Sequence, residues 1–122
     1  MGTVSKNFSR SEFACKCGCG FDAVDPRLIA GLQALRDLAD RPITINSACR
    51  CETHNKHVGG ASRSYHKQGK AADIVIAGMK PAQMAALAEK IPQFQKGAVI
   101  VYNKNGFIHV DVRGKKYREI RN

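Results

Sequence analysis

Two histidines and two aspartates stand in patterns that could act together. In S-R-S-Y-H-K-Q-G-K-A-A-D-I-V-I, residues 62–76, His66 precedes Asp73 with Gly69 and small residues between them. Further on, F-I-H-V-D-V at 107–112 alternates His109 and Asp111 with Ile108, Val110 and Val112. Successive side chains of a strand take opposite faces. One face of this segment is therefore aliphatic, and the other presents Phe107, His109 and Asp111. Alone, that pattern also fits a solvent-facing His and Asp on an edge strand. Asp73 adds a constraint: A-A-D-I-V-I directs Ala72, Ile74 and Ile76 toward a core and leaves the carboxylate on the opposite face. A carboxylate buried there without a partner would cost several kcal/mol, so it requires a cation.

His66 can return to Asp73 if residues 68–71 make a tight turn, which Gly69 permits. His66, Asp73 and His109 would then form a set of two imidazoles and one carboxylate. Such a set suits Zn2+ and, with only three protein ligands, leaves a fourth position for water. A metal held in this way would bring the pKa of that water toward ~7, which points to hydrolysis of a polarised carbonyl such as an amide.

The elements that must position these residues are legible in the pattern. In D-P-R-L-I-A-G-L-Q-A-L-R-D-L-A-D-R-P, Asp25 can cap a helix and Pro26 suits its first turn. Leu28, Ile29, Leu32, Leu35 and Leu38 form its apolar stripe before Pro42. P-I-T-I-N-S predicts a short strand over 43–47. It opens into a loop over 48–70, rich in Gly, Ser, His, Lys and Arg, a length that is often functional. A-A-D-I-V-I-A-G reads as a strand, and K-P-A-Q-M-A-A-L-A-E-K-I-P as a second helix burying Met84, Leu87, Ala88 and Ile91. G-A-V-I-V-Y-N-K-N-G-F-I-H-V-D-V reads as a hairpin turning at 103–106. The expected architecture is one α+β domain over residues 1–122, with an antiparallel sheet that holds the ligands on one face and two helices packed behind.

The run Ser47-x-x-Arg50, Asn55, Gly59-Gly60, Ser64-x-His66-x-x-Gly69-x-Ala71-x-Asp73 and His109-x-Asp111 resembles the zinc D-alanyl-D-alanine carboxypeptidases and related phage and bacterial peptidoglycan peptidases. Those share the metallopeptidase fold of the hedgehog signalling domain. F-S-R-S-E-F-A-C-K-C-G-C-G also resembles the start of short phage and prophage members, so the likeness covers nearly the whole chain. The resemblance implies that His66, Asp73 and His109 are metal ligands. It implies that Arg50 binds a substrate carboxylate or the developing oxyanion, and that Ser47 and Ser64 line the same cleft. Many relatives place a Glu or Asp three residues before the last zinc histidine as general base, and here that position is Gly106. Asp111 is the nearest substitute, about 7 Å along the same strand face as His109. In a second registration, Asp111 is the ligand and His109 the base. His54 and His57, beside Asn55, are candidates for contact with substrate, although their place in the long loop better suits exposed residues.

Composition narrows the alternatives. The chain has 122 residues, 43% apolar and 25% charged, with five Phe, three Tyr and no Trp, so its core must be mostly aliphatic. Twenty Lys+Arg against ten Asp+Glu give +10, which favours anionic surroundings: nucleic acid, anionic lipid or a phosphate-rich bacterial envelope. A basic nucleic-acid-binding module is the rival reading, but no stripe of basic residues interleaved with aromatics supports it. A zinc-binding domain without turnover is another. No apolar run reaches the ~20 residues of a membrane span, and nothing at the N-terminus has the charged segment and apolar h-region of a signal peptide. The expectation is a monomer made without its own leader, acting on peptide stems of the cell wall after phage-mediated release or as a virion component. The five cysteines cluster as Cys15, Cys17, Cys19 and Cys49, Cys51. C-x-C-x-C lacks the C-x₂-C step of zinc knuckles, so reduced thiols in a Gly-rich loop are expected. A disulfide between the clusters is the other reading, and Cys51, near the cleft by sequence, could be oxidised or metallated there.

Overall fold

The computed structural model describes residues 3–122 and contains seven strands and four helices among them. A two-stranded ribbon, β1 (Thr3–Ser5) and β2 (Phe8–Ser9), leads through a 3₁₀ turn into the Cys-rich loop. Helix α1 (Pro26–Ala39) begins as its sequence dictates: the Asp25 carboxylate accepts the Arg27 N–H at 2.8 Å and Pro26 takes the first position. Leu28, Leu32 and Leu35 are fully buried. Leu38 is not: it is 47% exposed, because the last turn runs past the edge of the surface that the earlier leucines cover.

The main sheet has the order β3 (Ile43–Ser47), β4 (Ala71–Ile76), β6 (Phe107–Asp111), β5 (Ala98–Tyr102), β7 (Tyr117–Arg121). The first three junctions are antiparallel, but β5 and β7 run parallel, so the sheet is mixed rather than antiparallel. The basic tail of the sequence is thus an edge strand, and its Arg118, Glu119 and Arg121 discourage further pairing. Arg118 also ties this edge inward, donating to Glu89 at 2.6 Å and to the Gly97 carbonyl at 2.7 Å.

One face of the sheet carries Ile43, Ile45, Ala72, Ile74, Ile76, Val99, Val101, Ile108 and Val110 into the core. Helices α1 and α3 (Pro81–Ala88) pack on it, with α4 (Pro92–Gln95) against α1. Met84, Ala88 and Ile91 are buried as the pattern of the second helix predicts, and Leu87 is partly so. The short α4 has no periodicity to announce it. It exists to deliver Phe94, which is fully buried and fits against Gly31 so closely that a Cβ there would lie 2.8 Å from its ring. In the 48–70 loop, α2 (Glu52–His57) and a 3₁₀ turn at Tyr65–Gln68 were likewise not expected.

The opposite face is organised by register. Asp73 pairs with His109, His109 with Ile100 and Ile100 with Glu119, so one transverse row crosses four strands. On the far side a bulge between Ile45 and Ser47 reverses the alternation of β3 and sets Ser47 opposite Asp73. Ile43 and Ile45 still face the core while Ser47 joins the polar row.

Phe94→Ala should lower stability by about 3–5 kcal/mol, the usual cost of deleting a buried phenyl ring. The urea-denaturation midpoint checks this, and a shift well below that range would mean that α4 can collapse into the gap.

Candidate metal centre

His66 reaches the row from the 3₁₀ turn. Ser64 caps that turn by accepting the His66 N–H at 3.2 Å, and Gly69, at φ +68°, ends it in the left-handed conformation that the sequence anticipates. The chain then enters β4 and delivers Asp73. His66 Nε2 lies 3.3 Å and His109 Nδ1 3.1 Å from the same oxygen, Asp73 Oδ1. The two rings meet edge-on with centroids 5.1 Å apart. One donor atom from each residue falls within 4.8 Å of the others, and all three side chains are buried.

The outer nitrogens set the protonation of each ring. His66 Nδ1 is 2.7 Å from the Ala48 carbonyl, which can only accept, so Nδ1 carries the hydrogen and Nε2 offers a lone pair. His109 Nε2 is 2.8 Å from Asp111 Oδ2, which fixes its hydrogen there and leaves Nδ1 facing Asp73. Two nitrogen lone pairs and a carboxylate oxygen therefore converge, an arrangement that repels itself unless a cation lies between. Protons meet part of this demand. Burial opposes charge on His109, but hydrogen bonds to Asp111 and Asp73 outweigh it and raise the pKa. Burial likewise opposes ionisation of Asp73, yet His109 and His66 hold its carboxyl well below the usual range. A divalent ion with a preference for imidazole and carboxylate meets the demand in full, and the oriented outer nitrogens are those of a histidine prepared for a metal.

A cleft of about 480 Å³ opens onto this triad. Arg50, Arg63, Arg113 and Arg121 line it, while among the described residues Asp73 and Glu119 are its carboxylates. Ile100 forms part of its floor beside the stacked rings of Tyr102 and Phe107.

A family model described as Peptidase M15 matches residues 6–111. The chain belongs to the peptidase M15 family. Over 44 residues it is 52% identical to the zinc D-Ala-D-Ala carboxypeptidase of Streptomyces albus G. That stretch is 35% of this chain and 17% of the relative's length.

Within this M15 chain the other residues singled out by sequence take distinct places. Arg50 does not stand free in the cleft. Its Nε donates to Ser47 Oγ at 3.0 Å, Nη1 to Asn55 Oδ1 at 3.3 Å and Nη2 to Asp73 Oδ2 at 3.1 Å. It is thus the fixed cation that Asp73 requires, with two of its five N–H groups remaining. Ser47 supports Arg50 and is absent from the lining, whereas Ser64 lines the cleft. His54, half-buried in α2, is not among the lining residues either.

Asp111 is fully buried behind His109. Its Oδ1 accepts the Ala98 N–H at 2.9 Å, and its Oδ2 accepts from Arg113 Nη2 at 2.7 Å as well as from His109. These partners turn it away from the cleft, so the proximity along the strand that made it a candidate base serves His109 instead. Two participants, Arg113 and Glu119, were missed, and a third, Asn55, stood in the motif without a role. Arg113 stacks on Tyr65, 4.4 Å from the ring centroid, while holding Asp111. Asn55, 1% exposed, receives Arg50 and donates to the Ala61 carbonyl at 2.8 Å. Glu119 was hidden because the basic tail gave no sign of a strand.

His66→Ala and Asp73→Ala should each remove one equivalent of zinc from reloaded protein. Asp111→Asn should retain the ion with roughly 10–100-fold weaker affinity, the scale of a lost partner to a ligating histidine. Calorimetric titration of chelator-stripped protein measures both, and unchanged zinc binding in the first two variants would exclude this triad as the site.

Proposed function

We propose that the chain is a zinc peptidase of the peptide stems of bacterial peptidoglycan, acting as a D,D-carboxypeptidase or endopeptidase. The observation that carries this reading is the convergence of His66 Nε2, His109 Nδ1 and Asp73 Oδ1 at the floor of an arginine-lined cleft. Family membership and the name of the Streptomyces relative support it.

When bound, zinc supplies an acidified water and polarises the scissile carbonyl. The ligands are His66, Asp73 and His109. Ala48 and Asp111 keep the two imidazoles in their binding tautomers, and Arg50 holds the second oxygen of Asp73 and so orients its carboxylate. The two unused N–H groups of Arg50, together with Ser64, are suited to a substrate carboxylate or the developing oxyanion. The four arginines favour an anionic substrate, and the net charge of +10 would concentrate the protein on an anionic wall.

In hydrolysis the water oxygen bonds to the acyl carbon, the C–N bond breaks and the amine nitrogen gains a proton. Among the described residues, the cleft carboxylate outside the metal triad that could carry that proton is Glu119. It stands across Ile100 from His109, two strand spacings or roughly 10 Å away at the backbone, with room for a substrate between. Hydrogen bonds from Arg121 and Tyr117 hold its carboxyl below the ordinary range, so it is ionised at neutral pH. We assign the base to Glu119 and the orienting role to Asp111. We further propose that residues 1–122 act as one monomeric domain at the wall, reached through phage-mediated release or as part of a virion. No helix of the described residues is long and apolar enough to cross a membrane.

Chelation should abolish the release of stem-peptide products from purified peptidoglycan, and zinc should restore it. Mass spectrometry of the muropeptides identifies the bond, and products unchanged by chelation would refute the reading. Glu119→Gln should lower kcat by about 10²–10⁴-fold with zinc content intact. A Glu119→Gln enzyme of normal kcat would return the base to another group.

A further inference from the structure

The thiols form a second centre. Cys15, Cys17, Cys19 and Cys51 each offer a sulfur, and the four sulfurs lie within 4.8 Å of one another. Cys15 and Cys17 Sγ are 3.4 Å apart, Cys17 and Cys51 Sγ 3.6 Å. Four sulfurs around zinc at ≈ 2.3 Å would be separated by about 3.8 Å, the edge of the tetrahedron. All four are free cysteines, and an all-sulfur set of four matches the ligand number of a tetrahedral metal site.

The backbone is shaped to this end. Alternate residues of a straight strand lie nearly 7 Å apart, which would keep the three sulfurs of C-x-C-x-C from meeting. Here the chain curls instead: the Gly18 N–H donates to the Cys15 carbonyl at 3.2 Å, and the Cys15 N–H to the Phe21 carbonyl at 2.8 Å. Gly18 and Gly20 take φ of +82° and +92°, which L side chains rarely adopt. A Cβ at either would meet nothing, so the requirement at both positions is conformational. The curl gathers three sulfurs, and the distant Cys51 adds the fourth. Two amides also point at the cluster: Cys51 N–H donates to Cys15 Sγ and His54 N–H to Cys51 Sγ, both at 3.4 Å. Such bonds accompany thiolates bound to metal. The fifth cysteine, Cys49, is buried apart from the group, which resolves the odd count.

We propose that Cys15, Cys17, Cys19 and Cys51 bind a structural Zn2+, separate from the ion held by His66, Asp73 and His109. An all-sulfur tetrahedron is a closed site that favours zinc and leaves no position for substrate. The missing C-x₂-C step, which argued against a metal here, is made good by the glycine curl and by the remote fourth ligand. This ion clips residues 15–19 to Cys51, immediately after Arg50. The Cys49 N–H already bonds the Phe13 carbonyl at 3.0 Å, so the clip secures a seam that carries Ala48 and Arg50, the partners of His66 and Asp73.

Protein purified under reducing conditions and loaded with zinc should contain two ions per chain. Cys17→Ser/Cys19→Ser should lose one of them, and His66→Ala should lose the other while keeping the thiolate site. Cobalt replacement reads the sulfur site directly: wild type and His66→Ala should both show thiolate-to-cobalt charge transfer in the near ultraviolet. That spectrum decides the matter even if the double serine variant fails to fold, and it is independent of activity on peptidoglycan. Cys17 and Cys19 are exposed, so bound metal should also slow their alkylation relative to chelator-treated protein. The proposal is overturned by a wild-type cobalt spectrum without the charge-transfer band, by equal alkylation rates with and without metal, or by a disulfide within the cluster in the reduced preparation.

Discussion

The polar face of this sheet depends on a buried negative charge and the cations that make its burial tolerable. Asp73 lies in the most protected strand, flanked by Ala72 and Ile74 in the core. An isolated carboxylate there would protonate or unfold the strand. Arg50 satisfies Oδ2, and the two imidazoles close on Oδ1 with lone pairs that themselves call for a positive ion. Metal affinity and the local geometry are therefore aspects of one electrostatic requirement. Ser47 and Asn55 hold Arg50, and Asp111, itself held by Arg113, holds His109, so Arg50 and His109 are each restrained by groups absent from the cleft lining.

This arrangement makes the polar site and the hydrophobic core share a scaffold. The same strands that pack Ile74, Ile108 and Val99 against the helices line up Asp73, His109 and Ile100 on the reverse, because antiparallel register pairs residues on both faces at once. A one-residue slip of β6 against β4 would at once remove the aliphatic side chains from the core and separate His109 from Asp73. The close approach at Gly97 reinforces the register: a Cβ there would lie on the Asp111 carbonyl, so the start of β5 fits only one way against the end of β6.

The sequence revealed those parts of the molecule where local chemistry and tertiary demand coincide. Asp25-Pro26 with its leucine stripe gave α1, alternation gave β6, and an aspartate among aliphatic residues gave both a strand and a need for a cation. It was silent where structure arises from distant partners. Strand β7 reads as a charged tail because its edge position leaves few apolar side chains to bury, and its parallel pairing with β5 has no local signature. Helix α2 is too short to show a period. Asp111 marks a related boundary: alternation put it on the face of His109, but that its carboxylate is wrapped by Arg113, two residues on, and by the Ala98 N–H of the paired strand β5 is set by the loop after β6 and by strand pairing, which alternation does not encode.

The bulge at Asn46 carries an evolutionary consequence. Paired without the bulge, Ser47 would fall opposite Ala72 and turn inward among the isoleucines, and Arg50 would lose the hydroxyl that steadies it. Deleting residue 46 would instead leave Ser47 next after Ile45, opposite Asp73 in an unbulged ladder. Descendants of this gene are thus free to vary the residue at 46, or to lose it, so long as Ser47 keeps its register. The pairing of Ser47 with Asp73, more than the number of residues leading up to it, is what inheritance must preserve.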